Sequence, residues 1–231
     1  MTELTKIANK YSTDKGTMVL EEENVQGAVH GYMPHHCYTE FYDFYFNKYR
    51  DKNPVIVEIG VAEGGSIQMI NEYFNSKCTI FAVDIDINCS NVTSFGDNIS
   101  FIQCDQGNIN NLIELRNFFI RNNIEVDILI DDGSHRVNHQ MKTFYFLHEI
   151  ISKDGIYIIE DVQCCYDRNY NENINDNSYS IVSFFERYTN YYDFPIWVNE
   201  YLHNRIQNTI LFTSKDSNDI SIGKTLIVTL K

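Results

Sequence analysis

The stretch DILIDDGSH, residues 127–135, runs from a short apolar series into two adjacent acids, a glycine, a serine and a histidine. A short apolar run of this kind is typical of a buried parallel strand. The residues after the strand have two interpretations, because Asp132 or Ser134 is also a common N-cap for a helix. The stretch alone therefore predicts either a capped helix with surplus charge or a reaction centre.

Strand-like and helix-like segments alternate on both sides of this stretch. The other strand-like runs are PVIVEIG (54–60), CTIFAVDID (78–86), NISFIQCD (98–105) and IYIIED (156–161), the last preceded by a predicted turn at 153–155. Amphipathic helices are predicted over 66–75, 110–123 and 139–151. The alternation predicts a Rossmann-like, doubly wound α/β sheet. Two β-rich runs, 205–215 and 223–230, predict an antiparallel pair at the sheet edge, giving seven strands.

The chain divides by composition into an N-terminal helical segment and a sheet domain. Residues 1–52 are polar and then densely aromatic, with aromatic side chains at helical spacing from Tyr38 to Tyr49. We expect this segment to pack on the core of a Rossmann-like domain, residues 53–231. Within that domain, the polar and aromatic stretch 167–200, which contains the single tryptophan, Trp197, is predicted to be an acceptor-binding insertion.

Composition excludes several classes of function. A formal net charge of −14 over 231 residues argues against a nucleic-acid partner, because such proteins concentrate basic residues on one face. No run of 18 apolar residues is present, and the first residues lack the apolar segment of a secretory signal. The six cysteines lack zinc-finger spacing, so reduced thiols and a cytoplasmic location are expected.

The residues at the ends of the first three strands indicate a cofactor site. In doubly wound folds, ligands bind beyond the carboxyl ends of the strands. Acids at these positions would repel a pyrophosphate but suit a cationic, adenosine-bearing ligand such as S-adenosylmethionine, although a glycine turn alone is as often only tight packing. The candidates are Glu58, Gly60 and Ser66 after strand one, Asp84 after strand two, and Asp105 and Gln106 after strand three.

Strands four and five end in acidic pairs, Asp131-Asp132 and Glu160-Asp161, and His135 comes three residues after the first pair. Carboxylates that converge at one rim are costly unless a cation neutralises them. Oxygen ligands suit Mg²⁺ or Ca²⁺. Either pair alone is as often a helix cap, and a lone histidine is more often structural. The two pairs and the histidine together favour a metal-assisted site.

The motifs TDKG, HHCYTEFYDFYF, EIGVAEGGS, VDID, CDQGN, DILIDDGSH and GIYIIEDVQ, spread over roughly residues 11–166, resemble the class I methyltransferases that act on sugar hydroxyls with a metal. The macrolide-sugar O-methyltransferases are most similar, and the cephalosporin-hydroxylase group is a more distant relative. The resemblance implies that Asp132, Glu160 and Asp161 hold Mg²⁺ and that His135 is the general base. It also implies that the strand-end residues Glu58, Ser66, Asp84, Asp105 and Gln106 contact S-adenosylmethionine.

The expected activity is therefore Mg²⁺-dependent methyl transfer to a sugar hydroxyl, on a free sugar, a nucleotide-linked sugar or a surface-polysaccharide precursor. A nucleotide-linked acceptor would need basic residues to offset its phosphates, and Lys15, Arg136, Lys142 and Arg168 form no cluster in the sequence. Catechol-type methylation and a non-catalytic cofactor-binding protein are the alternatives. The aromatic N-terminal segment further predicts a homodimer or higher homo-oligomer.

Overall fold

The computed structural model describes residues 1–16, 36–175, 179–190, 205–215 and 221–231. Within them, the strands are β1 (Val55–Ile59), β2 (Thr79–Asp84), β3 (Ile99–Gln103), β4 (Val126–Asp131), β5 (Ile151–Ile159), β6 (Ile206–Lys215) and β7 (Ser221–Leu230). The helices are α1 (Glu3–Lys10), α2 (Thr39–Phe46), α3 (Gly65–Tyr73), α4 (Ile109–Arg121), α5 (Val137–Leu147) and α6 (Ile181–Asn190). No helix in these ranges is long and apolar enough to cross a membrane.

The seven strands form one sheet in the order β3-β2-β1-β4-β5-β7-β6. The first five are parallel, whereas β7 is antiparallel to both β5 and β6. The predicted doubly wound sheet with an antiparallel C-terminal pair is therefore confirmed. Because the strand order reverses at β1 and β4, the crevice beyond their carboxyl ends is the expected ligand site.

Helices cover both faces of the sheet. The amphipathic helices α4, α5 and α6 bury their apolar sides on one face, as Leu115 and Phe144 illustrate. The helices α1, α2 and α3 pack on the other face, where Leu4, Tyr42 and Ile67 are fully buried. Buried aromatic residues of the N-terminal segment, such as Tyr42, thus belong to the apolar cluster on this face.

The fifth strand begins earlier than the sequence predicts. Instead of a turn at 153–155 that leads into the strand, β5 already starts at Ile151, which pairs with Val126 of β4. The register then shifts before Ile128 pairs with Ile156. Asp154 adopts a left-handed backbone conformation (φ 63°), so the predicted turn is a local irregularity inside a longer strand.

Phe144 should be a major contributor to stability. It is fully buried on α5, and its ring packs edge-on against Tyr157 and Phe185, with centroids 5.1 and 4.8 Å away. Replacing Phe144 by Ala leaves a cavity and should lower the free energy of unfolding by about 3–5 kcal/mol. Phe44 is the control, because its side chain is 77% exposed. Phe44→Ala should change the free energy of unfolding by less than about 0.5 kcal/mol. Urea denaturation measures both; similar effects would contradict the packing assignment.

Candidate active site

Three acids converge on one face of the sheet because alternate residues of a strand point to the same side. Glu58 lies on β1, while Asp132 and Glu160 come directly after β4 and β5, the neighbouring strands. All three are in phase with the strand residues that pack against α1, α2 and α3. We refer to Glu58, Asp132 and Glu160 as the acid cluster.

Lys15, in the turn after α1, lies at the centre of the acid cluster. Its Nζ is 2.5 Å from Asp132 Oδ2, 2.7 Å from Glu160 Oε2 and 3.7 Å from Glu58 Oε1. Burial alone would lower the pKa of Lys15, but the three carboxylates raise it well above its usual value. The chain therefore supplies a cation of its own to these acids, and this lysine cannot also offset the phosphates of an acceptor.

Glu160 is almost fully buried and both of its carboxylate oxygens are engaged. Oε2 meets Lys15, and Oε1 accepts a short hydrogen bond from the hydroxyl of Tyr42 on α2. Burial raises the pKa of Glu160 well above its usual value, and the negative charge of Asp132 adds to this rise. The charge of Lys15 and the hydrogen bond from Tyr42 act in the opposite direction. The Glu160 carboxylate is thus directed at the N-terminal segment.

A second group, beside the acid cluster, has a spacing that could hold a metal ion. Asp132, His135 and Asp161 each offer one donor atom, and these atoms lie within 4.8 Å of one another. The Nε2 atom of His135 is 3.6 Å from Asp161 Oδ2. We refer to these three residues as the donor group. The structure thus brings together three of the four residues predicted for the reaction centre, and Glu160 is the one outside the group.

The backbone at the donor group is unusual. His135 and Asp161 both adopt the left-handed conformation, with φ values of 56° and 51°. This conformation costs energy in residues other than glycine and is frequent at functional sites. At the carboxyl end of β5, it turns Asp161 toward His135, whereas the preceding Glu160 points into the acid cluster.

Asp161 is held by residues for which the sequence predicts no role at the site. Its Oδ1 accepts hydrogen bonds from the Tyr38 hydroxyl and from Gln163 Nε2, both at 2.8 Å. His36 Nδ1 lies 3.3 Å from the same oxygen. Burial would raise the pKa of Asp161, but the neighbouring imidazoles and these hydrogen bonds together lower it. The HHCYTEFYDFYF motif was the available signal, since His36 and Tyr38 belong to it.

A cavity of about 260 Å³ opens at the carboxyl ends of β1, β2 and β3. It is lined by Ile59, Gly60, Asp84, Ile85, Cys104, Asp105, Gln106, Gly133, Ser134 and His139. Gly60 has a φ of +83°, and a side chain there would overlap the backbone of Asp132 and Gly133. Four of the six predicted cofactor residues therefore line one cavity, next to the loop that carries the donor group.

Local hydrogen bonds orient the two acids that line this cavity. Asp84 accepts the backbone N–H groups of Val61 and Asp86, both at 2.9 Å. Asp105 Oδ1 accepts the N–H of Gly107 at 2.8 Å. Because a carboxylate has about four lone-pair sites, both acids keep acceptor capacity for a ligand.

The amide of Gln106 is directed inward rather than into the cavity. Its Nε2 donates to Asp131 Oδ1 at 2.9 Å and to Thr143 Oγ1 at 3.1 Å, while its Oε1 accepts the N–H of Ser134. Asp131 is fully buried and also accepts a hydrogen bond from the Tyr157 hydroxyl. Asp131 therefore supports the loop from the face opposite Asp132, as strand alternation predicts.

The remaining two predicted cofactor residues, Glu58 and Ser66, lie together on the face covered by α1, α2 and α3. Ser66 is in the first turn of α3, beside the Glu58 carboxylate. The only ion pair of Glu58 in the described part of the chain is the one with Lys15, at 3.7 Å. Burial is the largest influence on this group, and it raises the pKa of Glu58 to about 7.

Two further residues of the cavity wall were not predicted to have a role there. Ser134 Oγ and His139 Nδ1 form a hydrogen bond of 2.8 Å. The sequence predicts only a helix residue at His139, and its position one turn after His135 was the one sign that it lies near the site.

In the predicted insertion 167–200, residues 176–178 and 191–200 lie outside the described residues, and Trp197 is among them.

The strand order and the antiparallel seventh strand define a class I methyltransferase fold. The MycE methyltransferase from the mycinamycin biosynthetic pathway, solved with Mg, SAH and mycinamycin VI, superposes with a TM-score of 0.72 at 22% identity, over 100% of this chain and 55% of that chain. An O-methyltransferase from Bacillus cereus, solved with SAH, gives 0.54 at 11% identity, over 99% of this chain and 91% of that chain.

The chain belongs to the rhamnosyl O-methyltransferase/CmcI family, whose family model matches residues 49–211. The 8-demethyl-8-alpha-L-rhamnosyl tetracenomycin-C 2'-O-methyltransferase of Streptomyces olivaceus is 29% identical over 66% of this chain and 40% of its own length. The mycinamicin VI 2''-O-methyltransferase of Micromonospora griseorubida is 30% identical over 71% of this chain and 37% of its own length. The chain thus spans well under half the length of these curated relatives.

Proposed function

We propose that the protein transfers a methyl group from S-adenosylmethionine to a sugar hydroxyl in a Mg²⁺-dependent reaction. The observation that carries the proposal is the donor group of Asp132, His135 and Asp161, which adjoins a cavity at the switch point of the sheet. Family membership supports it, because the similar Streptomyces protein is an O-methyltransferase of a rhamnosyl compound and the Micromonospora protein is an O-methyltransferase of mycinamicin VI.

The donor group fits a divalent metal ion. Two carboxylates supply the hard oxygen ligands that Mg²⁺ prefers, and the group lies at a partly exposed rim that a ligand can reach. Asp132 and Asp161 are the proposed ligands. Glu160 stays a predicted ligand, although its carboxylate is bound here by Lys15 and Tyr42.

The strand ends also fit S-adenosylmethionine. Glu58 offers a buried carboxylate that Lys15 Nζ approaches only to 3.7 Å, so it keeps acceptor capacity for an ammonium group. Asp84 stands at the position where an acid accepts a ribose diol, and Asp105 faces the same cavity. Gly60 keeps the backbone clear of side-chain atoms, and Ser66 lies beside Glu58. Gln106 shapes the cavity wall through the hydrogen bond that it accepts from Ser134.

The residues of the chain have separate tasks in the proposed reaction. When bound, Mg²⁺ supplies Lewis acidity that lowers the pKa of a sugar hydroxyl, and S-adenosylmethionine supplies an activated methyl group. His135 takes the hydroxyl proton as general base. The neighbouring Asp161 carboxylate stabilises the imidazolium that results. The buried hydrogen bonds of Asp131 keep the intervening loop in place.

The acceptor class is tested with purified protein, labelled S-adenosylmethionine and a panel of rhamnosides, nucleotide-linked sugars, polysaccharide precursors and catechols. We expect methyl transfer to a sugar hydroxyl and none to a catechol. Transfer only to catechols, or to no acceptor despite cofactor binding, would refute the proposal. Cell fractionation and light scattering test the predicted cytoplasmic location and homo-oligomer.

Cofactor affinity should depend on pH through Glu58. Because burial raises the pKa of Glu58 to about 7, this carboxyl is ionised above that pH and protonated below it. An ammonium group binds the ionised form, so the affinity for S-adenosylhomocysteine should fall about tenfold for each pH unit below 7. Calorimetric titration between pH 5.5 and 8.5 measures this slope. Glu58→Gln should bind weakly at every pH; a variant that keeps the wild-type slope would remove Glu58 from this role.

A further inference from the structure

Besides the imidazole of His36, the N-terminal segment directs three side chains into the acid cluster and the donor group. Lys15 contacts Asp132 and Glu160, Tyr42 donates to Glu160, and Tyr38 donates to Asp161. The family match begins only at residue 49, so these three donors lie outside it. Lys15 differs from the two tyrosines in that it contacts acids from more than one strand.

We propose that Lys15 is a positioning residue for the metal-binding acids. Its ammonium group holds Asp132 and Glu160 in one arrangement, with contacts of 2.5 and 2.7 Å, so that Asp132 is in place when the metal arrives. This inference rests on the proposed function, because it concerns the acids that are proposed to hold the ion.

Simple electrostatics gives the opposite expectation. A fixed positive charge beside a metal site repels a divalent cation, so removal of Lys15 would tighten metal binding if charge were its only effect. The geometry argues against this outcome. Asp132 is 22% exposed, so without Lys15 its carboxylate can turn toward water and away from the donor group. Glu160 would remain bound to Tyr42, while Glu58 would lose the only cation near it in the described chain.

The experiment compares Mn²⁺ and Mg²⁺ binding in the full chain without cofactor or acceptor, by calorimetry and by electron paramagnetic resonance of Mn²⁺. We expect Lys15→Met, which keeps the length of the side chain, to weaken binding by about 10- to 100-fold, as is typical when a residue that orients a metal ligand is removed. Lys10→Met is the control, because Lys10 belongs to the same segment but pairs with Glu72 at the surface. This control should bind metal like the wild type.

A charge-matched variant separates positioning from charge. Lys15→Met/Glu58→Gln removes one positive and one negative charge, so the acid cluster keeps its net charge but loses the ammonium group. We expect this double variant to bind metal as weakly as Lys15→Met, whereas Glu58→Gln alone should stay within about threefold of the wild type, since Glu58 is not in the donor group. Wild-type binding in the double variant would show that Lys15 acts by neutralising Glu58 rather than by positioning Asp132, and would overturn the proposal.

The outcomes also distinguish this inference from the proposed function. A wild type that binds neither ion contradicts the metal-dependent function itself. A wild type that binds, with Lys15→Met equal or tighter, contradicts only the positioning role. If Lys15→Met is less stable, the metal-induced rise in Tm, which reports binding to the folded state, gives the same comparison. A rise equal to that of the wild type would count against the proposal.

Discussion

Replacing His135 by Ala should lower kcat for methyl transfer by about 10²- to 10⁴-fold, the usual contribution of a general base. The expectation rests on the place of His135 in the donor group, 3.6 Å from the Asp161 carboxylate that would stabilise its charged form. Because His135 does not line the cavity, the affinity for S-adenosylhomocysteine should remain within about threefold of the wild type. Single-turnover kinetics and calorimetry measure the two quantities separately.

Added imidazole gives a direct control for this variant, because a soluble base should restore part of the lost rate. Arg136→Ala provides the matched comparison, since Arg136 is the next residue and its side chain is 50% exposed. Its kcat should stay within about twofold of the wild type. A His135→Ala enzyme with nearly normal kcat would mean that another group, or water, accepts the proton.

Asp161→Asn should abolish activity together with metal binding. The substitution removes a charged ligand but keeps the size of the side chain and an acceptor for the Tyr38 hydroxyl. A direct ligand should matter more than an outer partner, so we expect Mn²⁺ affinity to fall by more than about 100-fold. Chelation of the wild-type protein with EDTA should likewise stop turnover, and added Mg²⁺ or Mn²⁺ should restore it.

Asp127→Asn is the matched control for the loss of an acid. Asp127 lies on β4 like Asp131, but it accepts hydrogen bonds from Val55 N and Ser152 Oγ at the opposite end of the strand. This variant should lose some stability and keep its metal affinity. A fully active wild type in excess EDTA would exclude the metal-dependent mechanism.

The strands and helices could be predicted because short apolar runs and amphipathic periods are local properties of a sequence. The acids could be placed by the same reasoning, since residues at the carboxyl ends of neighbouring parallel strands must lie at one edge of the sheet. The antiparallel pair at the C-terminus was equally evident, because no helix-like segment separates its two β-rich runs.

The partners of these acids could not be predicted in the same way. Lys15 lies in a polar TDKG turn that looks exposed in the sequence, yet it contacts acids more than 100 residues away. Because Asp161 adopts the left-handed conformation, its side chain points away from that of Glu160. No local sequence pattern predicts this conformation. The inward direction of the Gln106 amide depends on Asp131 and Thr143, from two different elements.

The contact between Lys15 and Glu160 also bears on the order in which the protein folds. The two residues are 145 positions apart, so the lysine is synthesised long before its acidic partners. In a nascent chain that ends before β5, the N-terminal segment has been synthesised but Glu160, the partner of Lys15, has not. Such long-range closure is slow because loop entropy must be overcome first. The acid cluster should thus be among the last parts of the protein to assemble.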